Sequence, residues 1–121
     1  MNSHFEISDK FDEQQEIVIA TNDTLLEIKT LPSDTFKLIL TSPPYNIGKS
    51  YETQTSLEDY LSWQESVLVE LIRVMTPNGS LVLQIGNFID NGEVFPLDFY
   101  FYPICKKLGL QLRNRIVWHF D

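Results

Sequence analysis

The sequence predicts an α/β fold: one domain with a mostly parallel sheet and flanking helices. Three short apolar runs, at residues 16–20, 36–40 and 80–85, have the length and composition of buried strands. Two segments with apolar residues at helical spacing, 24–30 and 56–75, separate them. Because successive strands joined through a helix are most simply parallel, this alternation indicates a layered α/β domain.

The length and composition of the chain limit the classes of protein to which it can belong. At 121 residues, with 43% hydrophobic and 21% charged residues, the chain is expected to form a single small globular domain. No apolar run approaches the roughly 20 residues that a membrane-spanning helix needs, and residues 1–10 lack a secretory pattern. The single cysteine, Cys105, fits a reducing cytoplasm and a buried packing role. His4 and His119 lack ligand-like spacing, so no metal site is expected.

The charge of the chain bears on nucleic-acid binding. The formal net charge is −8, whereas domains that bind nucleic acid unaided usually carry a basic patch against the phosphates. If the chain acts on DNA, most phosphate contacts are therefore expected to come from another region or another chain.

In the first half of the chain, short sequence patterns predict where the helices begin and end. Residues 1–15 are polar and predict a loose arm or a first short element. Asp23 precedes an apolar-periodic segment and is a candidate N-cap of a helix over residues 24–30, which a turn at residues 31–34 follows. Ser56, followed by two acids, predicts the start of the next helix, and residues 76–79 predict its end.

The second half is predicted to continue with a strand and a helix. The turn at Gly86 and Asn87 would lie at the carboxyl end of the third strand, and residues 90–92 mark another loop. A helix is predicted over residues 96–108, with Pro103 kinking it or delaying its start. The last segment, residues 110–120, is predicted to be extended around an apolar core of Ile116, Val117 and Trp118.

The most distinctive stretch directly follows the second predicted strand and reads Thr41-Ser42-Pro43-Pro44-Tyr45-Asn46. Two consecutive prolines fix two φ angles, remove two backbone donors and make the loop stiff. The loop thereby holds a hydroxyl, free carbonyls and an aromatic ring at one place. Oxygen acceptors and a flat ring suit a planar amide or amino group. A rigid turn without function and a proline-rich peptide ligand are the alternatives, but the latter usually lies in exposed, polar segments.

This Ser-Pro-Pro-Tyr loop (residues 42–45), together with residues 31–36 and 46–48 around it, resembles motif IV of the S-adenosylmethionine-dependent DNA amino-methyltransferases. The resemblance implies a partial Rossmann-like methyltransferase fold and transfer of a methyl group to the exocyclic nitrogen of cytosine or adenine in DNA. It covers roughly residues 16–120.

The resemblance also implies catalytic roles for the loop residues. The Ser42 hydroxyl and the Pro43 carbonyl would accept hydrogen bonds from the target amine and pull its nitrogen toward tetrahedral geometry. Tyr45 would stack on the flipped base, and Pro44 would stiffen the platform. The alternative for Tyr45 is an ordinary loop aromatic that packs on the sheet.

Serine at the first position of the motif is associated in the family with cytosine N4, and aspartate or asparagine with adenine N6. Ser42 therefore favours cytosine, with adenine as the alternative. A third relative, which methylates a protein glutamine amide, carries an upstream glycine-rich motif that nothing in residues 1–40 resembles.

Other segments extend the resemblance. Asp23 resembles the polar residue of motif III that contacts the cofactor's adenine, although its neighbour Asn22 replaces the usual glycine and an N-cap role is equally open. Residues 113–119 resemble motif VIII near the target base, where Trp118 could equally be a core residue. Lys49 and Tyr51 lie in the loop that faces DNA in the family, and a solvated loop is their alternative.

The glycine-rich cofactor loop of the family has no counterpart, because the five glycines are scattered singly. The order resembles the permuted class, in which the cofactor half and the target-recognition region follow motif IV. We therefore expect residues 1–121 to be a single domain that is the catalytic half of a methyltransferase, inactive alone and binding the cofactor weakly or not at all. The alternatives are an inactive remnant, an interaction module or an accessory half that needs a complementing chain.

The absence of the cofactor half would also expose an apolar edge of the sheet. We expect this edge to promote homo-oligomers through Ile17, Val18, Ile19, Leu38 and Ile39.

Overall fold

The structure is a computed structural model that describes residues 5–48 and 53–120. Within these ranges the elements are, in chain order, β1 (Ile7–Ser8), β2 (Ile17–Val18), α1 (Thr24–Thr30), β3 (Phe36–Thr41), α2 (Leu57–Val74), β4 (Met75–Leu83), β5 (Asn87–Asp90), β6 (Glu93–Pro96) and α3 (Leu97–Lys107). The architecture is α/β, as the sequence predicts. No helix in the described ranges is long and apolar enough to cross a membrane.

Both predicted helix caps are present. The Asp23 carboxylate accepts a hydrogen bond from the backbone N–H of Leu26 (3.1 Å), and α1 has the predicted bounds. The Ser56 hydroxyl accepts one from the N–H of Asp59 (3.1 Å), and α2 starts at the next residue. A short side chain that accepts from a nearby N–H is a local interaction, which explains why sequence reasoning located both starts.

The central strand pair is parallel and is joined through α2. β3 pairs with β4, with Ile39 opposite Leu81 and Thr41 opposite Leu83. The predicted end of α2 before residues 76–79 is confirmed to within one residue, since α2 ends at Val74. The following strand begins earlier than the predicted residue 80, because the backbone is already extended at Met75, which pairs with Phe36. The register then shifts before Leu38 pairs with Ser80, so residues 76–79 bulge.

Strand β2 differs from its prediction as a buried five-residue strand. It has two residues, and it pairs in parallel with β1 rather than with β3. Ile17 and Ile19 are 37% and 61% exposed, because no further layer of the described chain covers this pair. The prediction that residues 1–15 include a first short element is confirmed by β1.

An antiparallel hairpin, β5–β6, was not predicted. Its turn contains Asn91 and Gly92, both with positive φ (48° and 80°). An Asn-Gly pair between apolar residues is a strong hairpin signal, so this element was accessible from the sequence.

The last predicted helix is present as α3, and since it begins at Leu97, Pro103 does not delay its start. The predicted apolar core of the final segment is wrong. Ile116, Val117 and Trp118 are 86%, 83% and 74% exposed, and the ring contact between Trp118 and Phe120 leaves them open to solvent.

The core lies where α2 meets β3, β4, α1 and α3. Its buried side chains are contributed mainly by the helices and are Ile28, Tyr60, Val67, Leu68, Leu71, Val74, Phe88, Leu97 and Phe101. Cys105 is half-buried against this cluster, in agreement with its predicted packing role.

Candidate active site

The candidate site lies at the carboxyl ends of β3 and β4. Thr41 is the last residue of β3, and its carbonyl accepts a hydrogen bond from the N–H of Gln84 (3.0 Å), just beyond the end of β4. The loop after β3 and the turn at Gly86 therefore begin at the same edge of the pair, as predicted. This edge is where α/β proteins commonly bind ligands.

Two acceptors of the Ser-Pro-Pro-Tyr loop are available. The hydroxyl of Tyr60, on α2, donates a hydrogen bond to the carbonyl of Pro44. Within the described ranges neither the Ser42 hydroxyl nor the Pro43 carbonyl takes part in a hydrogen bond. Ser42 is exposed and Pro43 is half-buried. The Pro44 carbonyl thus anchors the loop, while the predicted pair of oxygens has no hydrogen-bond partner in the described part of the chain.

Asn46 closes the loop. It is 2% exposed and has a positive φ of 61°, a conformation that asparagine tolerates better than most residues. Its side-chain amide donates to the carbonyl of Thr55 and accepts from the N–H of Thr55, both at 2.8 Å. Because Thr55 directly precedes the Ser56 cap, this clamp holds the end of the loop against the start of α2.

The ring of Tyr45 lies against Gly86. A Cβ on Gly86 would be 3.1 Å from Tyr45 Cδ2 and 3.2 Å from Cε2, so the absence of a side chain admits the ring. The carbonyl of Gly86 in turn accepts a hydrogen bond from the N–H of Leu97 (3.2 Å) at the start of α3. Tyr45 is half-buried, and its stacking role stays a prediction.

Two clefts meet at the loop. The smaller has a volume of about 100 Å³. Its walls combine loop residues with the core-facing side of α2 and are formed by Thr24, Thr41, Ser42, Pro43, Pro44, Trp63, Gln64, Val67, Leu68, Leu71 and Leu83. The larger, about 320 Å³, is lined by Pro44, Asn46, Thr53, Thr55, Asp59, Tyr60 and Trp63. Pro44 and Trp63 border both.

Gln64 lies in the wall of the smaller cleft. It is 2% exposed, and its Nε2 has no hydrogen-bond partner in the described part of the chain. Buried amide donors are nearly always paired, so this one requires an explanation.

The other site residues predicted from the sequence lie farther from the loop or already form other contacts. Asp23 caps α1 through Oδ1, and the next residue, Thr24, borders the smaller cleft. In the 113–119 segment, the guanidinium of Arg115 pairs with the Asp98 carboxylate on α3, while Trp118 is exposed. Lys49 and Tyr51 lie outside the described residues.

Sequence reasoning missed Tyr60 and Gln64 as site residues. Both lie on the buried face of α2, four residues apart, with Leu68 one turn further on. A glutamine inside an otherwise apolar helical stripe was the available signal, since such positions usually carry apolar side chains.

Comparisons with known proteins identify the family of the chain. The sequence profile of the N6/N4 DNA methylase family matches residues 36–121. The chain belongs to this family. It is 40% identical over 113 residues to the type II methyltransferase M.BglII of Bacillus subtilis, covering 93% of this chain and 31% of that protein. It is 33% identical over 106 residues to the DNA adenine methyltransferase YhdJ of Escherichia coli K12, covering 85% of this chain and 33% of that protein.

Solved structures of DNA methylases have the same fold. The DNA modification methylase TTHA0409 of Thermus thermophilus superposes with a TM-score of 0.66 at 32% identity, covering 80% of this chain and 42% of that one. A second structure of TTHA0409 is a complex with S-adenosyl-L-methionine (TM-score 0.58, 31% identity, 72% and 38% covered). The methylase chain described here therefore has a Rossmann-like α/β fold and spans about a third of the length of the curated relatives it matches.

The two clefts beside the loop measure about 100 and 320 Å³, against the roughly 300–1,000 Å³ typical of pockets for small ligands. No glycine is among the described residues that line either cleft. A glycine-rich turn would let the backbone approach a bound cofactor closely.

Proposed function

We propose that the chain is the catalytic half of a cytoplasmic DNA methyltransferase of a restriction-modification system, which methylates the exocyclic N4 of cytosine. S-adenosylmethionine would supply an electrophilic methyl group. The observation that carries the proposal is the pair of unoccupied acceptors, the Ser42 hydroxyl and the Pro43 carbonyl, on a loop anchored by Tyr60 and Asn46.

The chemistry of the target amine explains why two acceptors are useful. The lone pair of an exocyclic amine is delocalised into the base, which makes the nitrogen a poor nucleophile. Acceptors on its two N–H groups draw the nitrogen toward tetrahedral geometry, and preorganised acceptors need no reorganisation during the reaction. We assign this role to Ser42 and Pro43, stacking on the flipped base to Tyr45, and stiffening of the platform to Pro44. A base cannot react inside the duplex, so flipping is required. Asp23 remains a proposed contact to the cofactor's adenine through its second carboxylate oxygen.

Adenine N6 is the second candidate. The name of YhdJ specifies adenine, and this relative is 33% identical to the chain. The serine at position 42 supports cytosine through its association with that base in the family. Both bases present an amine to the same two acceptors.

We propose that a complementing region completes the cofactor site. We propose that it carries the glycine-rich loop and the DNA-recognition surface, which agrees with the net charge of −8 on this chain. Without it, calorimetry should detect weak or no binding of S-adenosylmethionine, and micromolar binding would contradict this assignment.

We also propose that the chain self-associates through its apolar edge. Of the predicted edge residues, Ile17, Ile19 and Leu38 are 37%, 61% and 62% exposed, whereas Ile39 packs against the core. Exposed apolar strand residues favour pairing with another chain. Light scattering that gives a strict monomer at high concentration would contradict this proposal.

The decisive experiment is a complementation assay. The chain is co-produced in cells with the part of its M.BglII relative that lies outside the matched 31% of that protein, and plasmid DNA is hydrolysed and analysed by mass spectrometry. We expect N4-methylcytosine, which should disappear when Ser42→Ala replaces the wild type. N6-methyladenine alone would favour the second candidate, and the absence of both would contradict the proposed activity.

A further inference from the structure

The smaller cleft presents a hydrogen-bond donor that the proposed reaction has not used. Gln64 is 2% exposed, and its Nε2 lacks a partner in the described ranges. A buried amide donor without a partner is destabilising, and such groups persist where a ligand or an ordered water completes them.

Gln64 is in a position to meet a ligand held by the loop. It lies four residues after Tyr60 on α2, so the two Cβ atoms are about 5–6 Å apart on one helix face. Tyr60 is hydrogen-bonded to Pro44, and Gln64 forms one cleft wall with Ser42 and Pro43. Gln64 therefore lines the same cleft as the two residues that carry the loop acceptors.

The walls of the cleft exclude an ionic ligand group. Its lining residues are apolar or neutral and include no lysine, arginine, aspartate or glutamate. A phosphate or a carboxylate would be desolvated there without a countercharge. The uncharged edge of a nucleobase fits better.

We propose that Gln64 Nε2 donates a hydrogen bond to the ring nitrogen beside the target amine, and thereby selects the bases that can be methylated. This inference rests on the proposed function. Cytosine N3 and adenine N1 are acceptors next to an exocyclic amine, whereas thymine N3 and guanine N1 carry a hydrogen. The two loop acceptors and the one helix donor together match the Watson–Crick edge of cytosine or adenine. Enzymes that flip bases read this edge.

The test removes the ring acceptor and keeps the amine. The isotope-labelled chain is titrated by NMR with millimolar deoxycytidine or deoxyadenosine, and with their 3-deaza and 1-deaza analogues. We expect the natural nucleoside to shift the Gln64 side-chain amide and to bind about tenfold more tightly than its deaza analogue.

Two variants distinguish recognition of the base by Gln64 from a packing effect of its side chain. Gln64→Met keeps the length of the side chain without the donor, and it should lower affinity for the natural nucleoside to that for the deaza analogue. Gln14→Met, at an exposed glutamine in the N-terminal region, should leave the preference unchanged. Thymidine and deoxyguanosine should not shift the Gln64 amide.

Two results would overturn the proposed role of Gln64 in recognising the base. One is a side-chain amide signal of Gln64 that no nucleoside shifts, and the other is a signal that natural and deaza nucleosides shift equally. A Gln64→Met variant that binds all nucleosides less well by one common factor also overturns this role, since that pattern indicates packing. Methylation in the complementation assay with an unresponsive Gln64 would refute this inference alone. A selective response without methylation would refute the proposed catalytic activity instead.

Discussion

The hydroxyl of Tyr60 donates a hydrogen bond to the carbonyl of Pro44, which connects the buried face of α2 to the loop that carries Ser42. Tyr60 is 4% exposed and belongs to the core, so a core side chain holds the loop. The position of the two loop acceptors therefore depends on core packing.

Tyr60→Phe tests this connection. We expect a loss of about 1 kcal/mol in the free energy of unfolding, because one buried hydrogen bond is removed. Methyl transfer in the complementation assay should fall about tenfold or more as the loop loses its anchor. Urea denaturation and a rate assay measure the two effects. Tyr102→Phe, at a half-exposed position, is the matched control and should change neither.

Ser42→Ala should lower the rate without changing the fold, since Ser42 is exposed and its side chain has no hydrogen bond in the described structure. Loss of one well-placed transition-state partner typically costs about 2–4 kcal/mol of barrier. The unfolding midpoint in urea should remain that of the wild type. Ser62→Ala, on the exposed side of α2, is the control. Activity of Ser42→Ala within a few-fold of the wild type would remove Ser42 from the catalytic residues.

Gly86→Ala should displace the Tyr45 ring, because the new Cβ would lie 3.1 Å from it. We expect a destabilisation of about 1 kcal/mol, typical of overpacking. In a Tyr45→Ala background the same change should cost much less, since the ring is absent. A double-mutant cycle in urea measures this coupling, and simple additivity of the two costs would contradict the contact.

Arg73 joins two helices. Its guanidinium donates to the carbonyls of Ile28 and Leu31 (both 2.9 Å) at the end of α1, and its Nε pairs with Glu70 (2.7 Å). Arg73→Met should lower the free energy of unfolding by about 2–3 kcal/mol, because the Leu31 carbonyl loses the Arg73 donor and the Ile28 carbonyl keeps only the N–H of Leu31. Lys107→Met breaks the exposed ion pair with Glu65 and should cost less than about 1 kcal/mol. Equal costs for the two variants would contradict the structural role of Arg73.

Burial raises the pKa of the Cys105 thiol, and a backbone hydrogen bond only partly opposes this shift. The thiolate is the reactive form, so at pH 8 iodoacetamide should modify the folded protein much more slowly than the unfolded protein. The rate should rise with pH through the raised pKa. The neutral thiol contributes stability below the pKa of the unfolded thiol, and this contribution is lost as the pH rises through the folded value. Mass spectrometry after timed quenching measures the modification, and equal rates in water and in urea would contradict the burial of Cys105.

The elements that could be predicted from the sequence are those that local chemistry determines. The Asp23 and Ser56 caps act within three residues, which is why α1 and the start of α2 agree with prediction. The early start of β4 depends on Met75 meeting Phe36, a partner far away in the chain, and no local pattern encodes that pairing.

The same distinction applies to the site. The Ser-Pro-Pro-Tyr loop is contiguous, so its position after β3 and its stiffness were predictable. The contributions of Tyr60 and Gln64 arise only when α2 packs beneath the loop, since a glutamine on a helix is usually a surface residue.

The Asn46 clamp has a consequence for how this family can vary. Because the chain leaves the loop at Asn46 and returns beside it at Thr55, the segment between them starts and ends at nearly the same place. Doubling the length of such a closed segment costs only about 0.6 kcal/mol of closure entropy. Insertions there would leave Ser42 and the α2 cap in position, so the length of this segment can change without disturbing the loop or the start of α2.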